Sequence, residues 1–550
     1  MSRNNRFVQV KELLHPGLLF IISYPLLDII FSKYREFGNL GFIWIVALFL
    51  GICAAAGWAL YRLCEIARVE KRWLTLIALL AWVCFVVGIA LPDAFVCDEN
   101  IMQVGCLFDS LIDPVDSGYL SRCFLGYPRR SFLIQSLPSL AFGISSFALN
   151  IGASLLVLPG LALFTYAVRT LTRAARDSDL ITALVLALLF QCTIFIRILI
   201  YHDQTSQPVA VALCLIGLTV ISVIDKRRWA LILALGLLAL SASLYPPVLS
   251  VVGLAAVVLG WALCANRLPP QSGLLTVLGG ATLALSFIQT LSYRTDLRLG
   301  VSELTGEGAW GRVNQLLSFL AFQQNGAPFA TWLLHGIIFA VLIVGGLGLL
   351  GLRAWVLCAW SVAVLVAAFF ADGYYPVLTW DQMTGIHRAA PVFPVVLVLS
   401  AIALASWFKG REVRAFPRTV AIALGVIPGL VSLAQYGYPQ KPPLSLDVFR
   451  AAQGSLPKEV YPHVRIFLRG DISHLVELPR HYRYLSPDAE FIFYHGSCLP
   501  LDGLTANDIV LTAQDELCDG VDFSLEPLRH MGSHEYFETT IQFYHVIPTP

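Results

Sequence analysis

The stretch "WLTLIALLAWVCFVVGIALPDAFVCDEN", Trp73 to Asn100, decides how the rest of the chain is read. From Trp73 to Leu91 it carries no charge, and it then places Asp93, Asp98 and Glu99 within seven positions. An uncharged run of this length is what a helix needs to cross a ~30 Å hydrocarbon layer. A carboxylate pair just past its end puts ionisable chemistry at the boundary between apolar and aqueous surroundings.

The run is not isolated. Hydrophobic residues make up 57% of the 550 and charged residues only 13%, about half the charge of an ordinary soluble protein. Apolar runs recur to about residue 436, which predicts a polytopic α-helical membrane protein, since lipid offers no partners for free backbone groups and helices satisfy their own. Thirteen transmembrane helices are expected near 15–32, 40–61, 73–92, 149–168, 179–200, 206–224, 229–244, 247–264, 271–292, 328–351, 354–371, 389–408 and 418–436. Arg3, Arg6 and Lys11 before the first run resemble a signal peptide, but no small-residue cleavage site follows, and the run reads as a retained helix. The formal net charge of +1 gives no footing for nucleic-acid binding.

Basic clusters set the orientation. Arg62, Arg68, Lys71 and Arg72; Arg169, Arg173 and Arg176; Lys226, Arg227 and Arg228; and Lys409, Arg411, Arg414 and Arg418 fall in alternate connections, which assigns those connections to the cytoplasmic side. The N-terminus is then inside and the tail from 437 to 550 outside. The outer connections include a long loop, 93–148, whose last part, "SFLIQSLPSLAFGISSFAL", is broken by Pro138 and reads as a helix on the membrane surface. Further outer segments are the short turn "YHDQTSQP" at 201–208 and the loops 293–327 and 372–388. In the tail, "VRIFLRG", "AEFIFYHG", "NDIVLTAQ" and "TTIQFYHVIP" have strand character, which predicts a small α/β or β-rich outer-face domain. Most of the twelve cysteines fall in apolar runs and behave there as small hydrophobes. Cys498 and Cys518 in the tail, and two of Cys97, Cys106 and Cys123 in the first long loop, would be free to pair in an oxidising compartment.

The outer face collects the residues able to do chemistry. Asp98 and Glu99 lie between Phe95-Val96 and Ile101-Met102, and partial burial among such neighbours tunes a carboxylate toward general-base work. The competing reading is an ordinary solvated loop charge. His202 and Asp203 share the short outer turn; Asp203 either caps the following helix or joins the acidic pair around a base position or a divalent cation, Mg²⁺ or Mn²⁺, held by oxygen ligands. Arg122, Arg129, Arg130, Arg294, Arg298, Arg312, His387 and Arg388 run against the positive-inside bias and therefore need an anionic partner. A phosphate held by guanidinium suits that chemistry, and pairing with carboxylates of the first loop is the alternative. Tyr245 precedes Pro246-Pro247, which either only breaks two helices or presents the phenol to the same face.

This order of parts resembles the type C (GT-C) membrane glycosyltransferases, which take sugars from polyprenyl-phosphate carriers. In that family a first span runs into a long outer loop opening on an acidic motif, and a second, short outer loop carries another acidic residue. After seven spans comes a further long outer loop, and many members end in an outer soluble domain. The spans from 73 to 292 follow the same order, with Asp98-Glu99 at the first acidic position and His202-Asp203 at the second. The resemblance implies Asp98 or Glu99 as catalytic base, Asp203 as accessory acid and Arg129, Arg130 and Arg388 at the carrier phosphate. It implies a membrane-held sugar donor and a glycan, lipid or protein acceptor. Two spans precede the module, a departure that leaves the subfamily open, and no "WWDYG"-like signature of transfer to asparagine is present. Two other classes compete. A transporter or lipid flippase would work through mid-span charges such as Arg197 and His335, and an assembly subunit would use the tail as a binding module.

Overall fold

The computed structural model describes residues 38–90, 133–143, 146–173, 175–190 and 206–244, scattered helical residues between 394 and 405, and six strands between 465 and 548. By internal contacts the chain divides into two units: 1–90, 126–134 and 153–438, and 91–125, 135–152 and 439–550.

The first unit is helical throughout its described residues. Its elements are α1 (Gly38–Glu70), α2 (Leu74–Ala90), α5 (Val157–Leu171), α6 (Ser178–Phe190), α7 (Ser206–Ile224) and α8 (Arg228–Leu244). Two helical stretches, Ile45–Glu70 and Asn150–Leu171, are long and apolar enough to cross a membrane. At 1.5 Å per residue, α1 runs nine residues past the span expected at 40–61. Charge marks the limit of an apolar run, but helix formation does not stop there: Ala59, Leu63 and Ala67 keep a buried seam at a spacing of four, while Arg62 and Glu65 pair on the outside. The span expected at 149–168 corresponds to the stretch Asn150–Leu171, which is interrupted by one turn. A turn at 155–156 separates α4 (Ser146–Ser154) from α5.

α5 and α7 form the centre. Every residue from Val209 to Ile221 is buried, as is nearly every one from Val157 to Thr170, the pattern of helices apolar on all sides. They approach closely enough that a Cβ on Gly217 would stand 2.4 Å from Leu163 Cβ and 2.7 Å from its carbonyl carbon, while one on Gly160 would stand 3.1 Å from the Ala210 carbonyl oxygen. Small residues at such a seam let two backbones meet.

The side-chain contacts give the direction of each helix. Leu163 lies against Gly217 and Tyr166 against Asp225, so α5 and α7 are parallel. Trp58 and Glu70 of α1 meet Tyr166 and Arg169 of α5, again in parallel. α8 runs the other way, with Leu48 over Gly236 and Leu233 over Gly51. α2 and α6 are mutually parallel, through Thr75 with Asp179 and Trp82 with Leu186. The connections bearing Arg62 to Arg72, Arg169 to Arg176 and Lys226 to Arg228 therefore gather at one end of the bundle, the basic end.

The outward faces are apolar too. On α2, Thr75, Leu79, Trp82 and Val86 are buried, while Trp73 before it and Ile77, Leu80 and Val87 are exposed. From Leu74 to Ala90 the helix has no polar residue other than the buried Thr75 and the indole of Trp82.

In the second unit, α3 (Leu133–Phe142) contains Pro138. Its polar residues Gln135, Ser136 and Ser139 are buried and Ala141 and Phe142 exposed. Close approach to α4 explains part of this, because a Cβ on Gly152 would stand 1.8 Å from the Gln135 carbonyl oxygen. The four strand-like runs of the tail are β1 (Arg465–Arg469), β2 (Glu490–Tyr494), β3 (Ile509–Thr512) and β6 (Thr539–Pro548), joined by β4 (Phe523–Pro527) and β5 (His534–Tyr536). The sheet order is β2-β1-β3-β6-β4, with β5 also on β6. β1 is parallel to β2 and β3 (Phe467 opposite Ile492 and Val510), and β6 is antiparallel to β3, β4 and β5. Parallel neighbours require crossovers, so this is a mixed sheet and not a chain of hairpins.

Candidate functional site

Asp98, Glu99, Arg129, Arg130, His202, Asp203, Tyr245, His387 and Arg388 all lie outside the described residues, as do Arg197, His335, Cys498 and Cys518. The described helices define where the chain enters and leaves these segments. α2 is described to Ala90, eight positions before Asp98; α7 is described from Ser206, three positions after Asp203; and α8 is described to Leu244, the residue before Tyr245. By the directions established above, all three of these helix ends lie opposite the basic end.

The helix pair leading to the two acidic motifs is held by a buried polar joint. Asp179, in the first turn of α6, accepts hydrogen bonds from the backbone N–H groups of Leu74 (3.0 Å) and Thr75 (3.1 Å) and from the Thr75 hydroxyl (2.7 Å). One carboxylate thus caps the start of α2 from a neighbouring helix and lies at the positive end of α6. Trp82 Nε1 donates to the Leu186 carbonyl at 2.9 Å, two turns further on. Together these bonds fix the axial register of α2 against α6.

Asp179→Ala should lower unfolding stability by about 1–3 kcal/mol, because it strands the buried Thr75 N–H and the half-buried Leu74 N–H, while Asp179→Asn keeps an acceptor and should cost less. Thermal unfolding in detergent measures both; an unchanged midpoint for the alanine variant would show that the joint contributes nothing.

Sequence reading missed Asp179. Its signal was an acid in the first turn of a helix, and nothing local shows that the donors it serves lie 104 and 105 positions earlier.

A second set of polar contacts lies at the basic end. Tyr166 donates to Asp225 (2.8 Å), its ring meets Trp58 edge-on at 5.3 Å, and Trp58 also packs against Trp229 at 5.7 Å and beneath Arg227 at 5.9 Å. Arg169, itself buried, pairs with Glu70, and Arg72 bonds the Arg176 carbonyl and lies 4.0 Å from Asp177. Thr172 and Ser178 share a hydrogen bond of 2.8 Å that closes the α5–α6 turn. Among the described residues no group of three or more His, Cys, Asp or Glu is arranged to hold a metal ion, and Cys53, Cys64, Cys84 and Cys214 are free thiols within helices. No protein-family model matches the chain, and no curated protein matches it.

Proposed function

We propose that the chain is a polytopic enzyme of the cytoplasmic (plasma or inner) membrane. It transfers a sugar from a polyprenyl-phosphate carrier to an acceptor hydroxyl at the outer face, with the N-terminus inside and the tail outside. The observation that carries this reading is the segregation of the bundle's two ends. The basic turns gather at one end, and the sequence segments bearing Asp98-Glu99, His202-Asp203 and Tyr245 adjoin helix ends at the other. The apolar outward face of α2 supports the membrane setting, since exposed hydrophobic surface of that extent is costly in water.

The chemistry follows from the setting. A donor anchored in lipid and an acceptor in water meet only at the interface, so the base belongs there. Asp98 or Glu99 removes the acceptor proton as the oxygen attacks the anomeric carbon. The carrier phosphate leaves with the bonding electrons, its charge met by Arg388 with Arg129 and Arg130, and one displacement inverts the anomeric configuration. Asp203, with His202 beside it, orients the acceptor; Tyr245 and His387 line the same face.

Arg388→Ala should raise the KM for the lipid-linked donor by about tenfold or more with a smaller change in kcat, as loss of binding common to ground and transition states does. Steady-state assays with a polyprenyl-phosphate sugar measure this, and an unchanged donor KM would remove Arg388 from the phosphate site.

A further inference from the structure

Two inter-helix turns at the basic end repeat one pattern: "EKRW" at Glu70–Trp73 between α1 and α2, and "DKRRW" at Asp225–Trp229 between α7 and α8. In both the lysine is left-handed, Lys71 at φ 54° and Lys226 at φ 55°, and they are the described non-glycine residues with positive φ. Each follows the end of a helix. The Arg72 N–H returns to the Ala67 carbonyl at 3.1 Å and that of Arg227 to Ile221 at 3.5 Å, so these are helix-terminating turns in which glycine is the least costly residue. Two lysines in that conformation, in matching sequences at the same end, indicate that the side chain itself is used.

The described acids of this end are already engaged. Glu65 pairs with Arg62, Glu70 with Arg169, Asp177 with Arg72, Asp225 with the Tyr166 hydroxyl, and Asp179 caps α2. Among the described residues, Arg68, Lys71, Arg173 and Lys226 are exposed cations without an acidic partner. Directly beyond Lys71, Trp73, Ile77 and Leu80 are 50%, 61% and 61% exposed, and the spacing of four and three puts them on one face of α2. A ligand matching this surface has a negative head and a long apolar body. We infer that the two lysine turns bind the headgroups of anionic phospholipids in the cytoplasmic leaflet, with the acyl chain along the Trp73-Ile77-Leu80 stripe in the case of Lys71. This rests on the membrane reading and not on glycosyl transfer.

The test uses the full chain purified in a neutral detergent, with native mass spectrometry counting retained phosphatidylglycerol against phosphatidylcholine. The wild type should prefer phosphatidylglycerol, and the preference should shrink with added salt, which screens exposed charge. In the double variant Lys71→Gly, Lys226→Gly the preference should fall roughly thirtyfold, about fivefold per lysine, while the thermal midpoint stays level or rises because glycine suits both turns. The double Lys→Arg variant should keep it. A glycine variant that retains the preference, a wild type that shows none, or soluble glycerol phosphate held as tightly as phosphatidylglycerol would each overturn the inference. Recovery of the chain in the alkali-washed membrane fraction tests the membrane reading separately.

Discussion

Of the two proteins Asp98→Asn and Glu99→Gln, at least one should lose about 10²- to 10⁴-fold in transferase turnover, the usual cost of removing a general base, while expression and detergent extraction stay normal. Both changes are nearly isosteric and remove only the ability to take a proton. Neither residue lies within the helices α1, α2, α5, α7 and α8, whose buried seams hold the bundle together, so activity and folding are measured on the same preparations. Asp203→Asn should reduce turnover less, as an orienting group does. Turnover of a lipid-linked sugar, compared with size-exclusion behaviour of the same preparations, checks this. Full activity in both the first two variants would leave the pair as ordinary loop charge.

The largest effect on folding is expected at Gly217. A single added carbon there would meet Leu163 Cβ at 2.4 Å and the Leu163 backbone at 2.7 Å, and no rotamer of a neighbouring side chain relieves a clash with main chain. Overpacking typically costs about 1–3 kcal/mol when the core yields, and here two central helices would have to part. Gly217→Leu should therefore abolish recovery of monodisperse protein. Gly217→Ala should be destabilised even though alanine favours a helix by about 1 kcal/mol. Gly57→Ala is the control, because nothing lies within 4 Å of its added carbon, and it should match or exceed the wild type. Fluorescence-detected size exclusion and thermal unfolding distinguish these outcomes; a well-folded Gly217→Leu protein would contradict the α5–α7 seam.

How legible these elements were depends on what determines each one. The run expected at 206–224 is α7 (Ser206–Ile224), and those at 73–92 and 229–244 agree with α2 and α8 to within two residues. Uncharged length and a following basic cluster are local properties that a sequence states directly. The tail strands were legible for the same reason, through β-branched and aromatic residues in short runs. What was hidden depends on partners far along the chain. The extension of α1 to Glu70 rests on a seam buried by other helices, and the inward polar face of α3 on its close approach to Gly152. The register of α2 on α6 depends on an aspartate more than a hundred positions away. Left-handed lysines break a local rule of backbone preference, and only the folded turns reveal them. The acidic, basic and aromatic residues expected at the outer face rest on composition, charge bias and family resemblance, and they lie outside the described residues.

The central claim is tested most directly by the purified full chain reconstituted in vesicles with a polyprenyl-phosphate sugar and an extract of envelope acceptors. Mass spectrometry would follow release of free polyprenyl phosphate together with appearance of the matching glycoside of inverted configuration. Wild-type protein should produce both in equal amounts and the inactive acidic-pair variant neither. Movement of the intact lipid-linked sugar or its carrier between leaflets, with no glycoside formed from any polyprenyl-phosphate donor, would contradict the account and assign the chain to lipid transport.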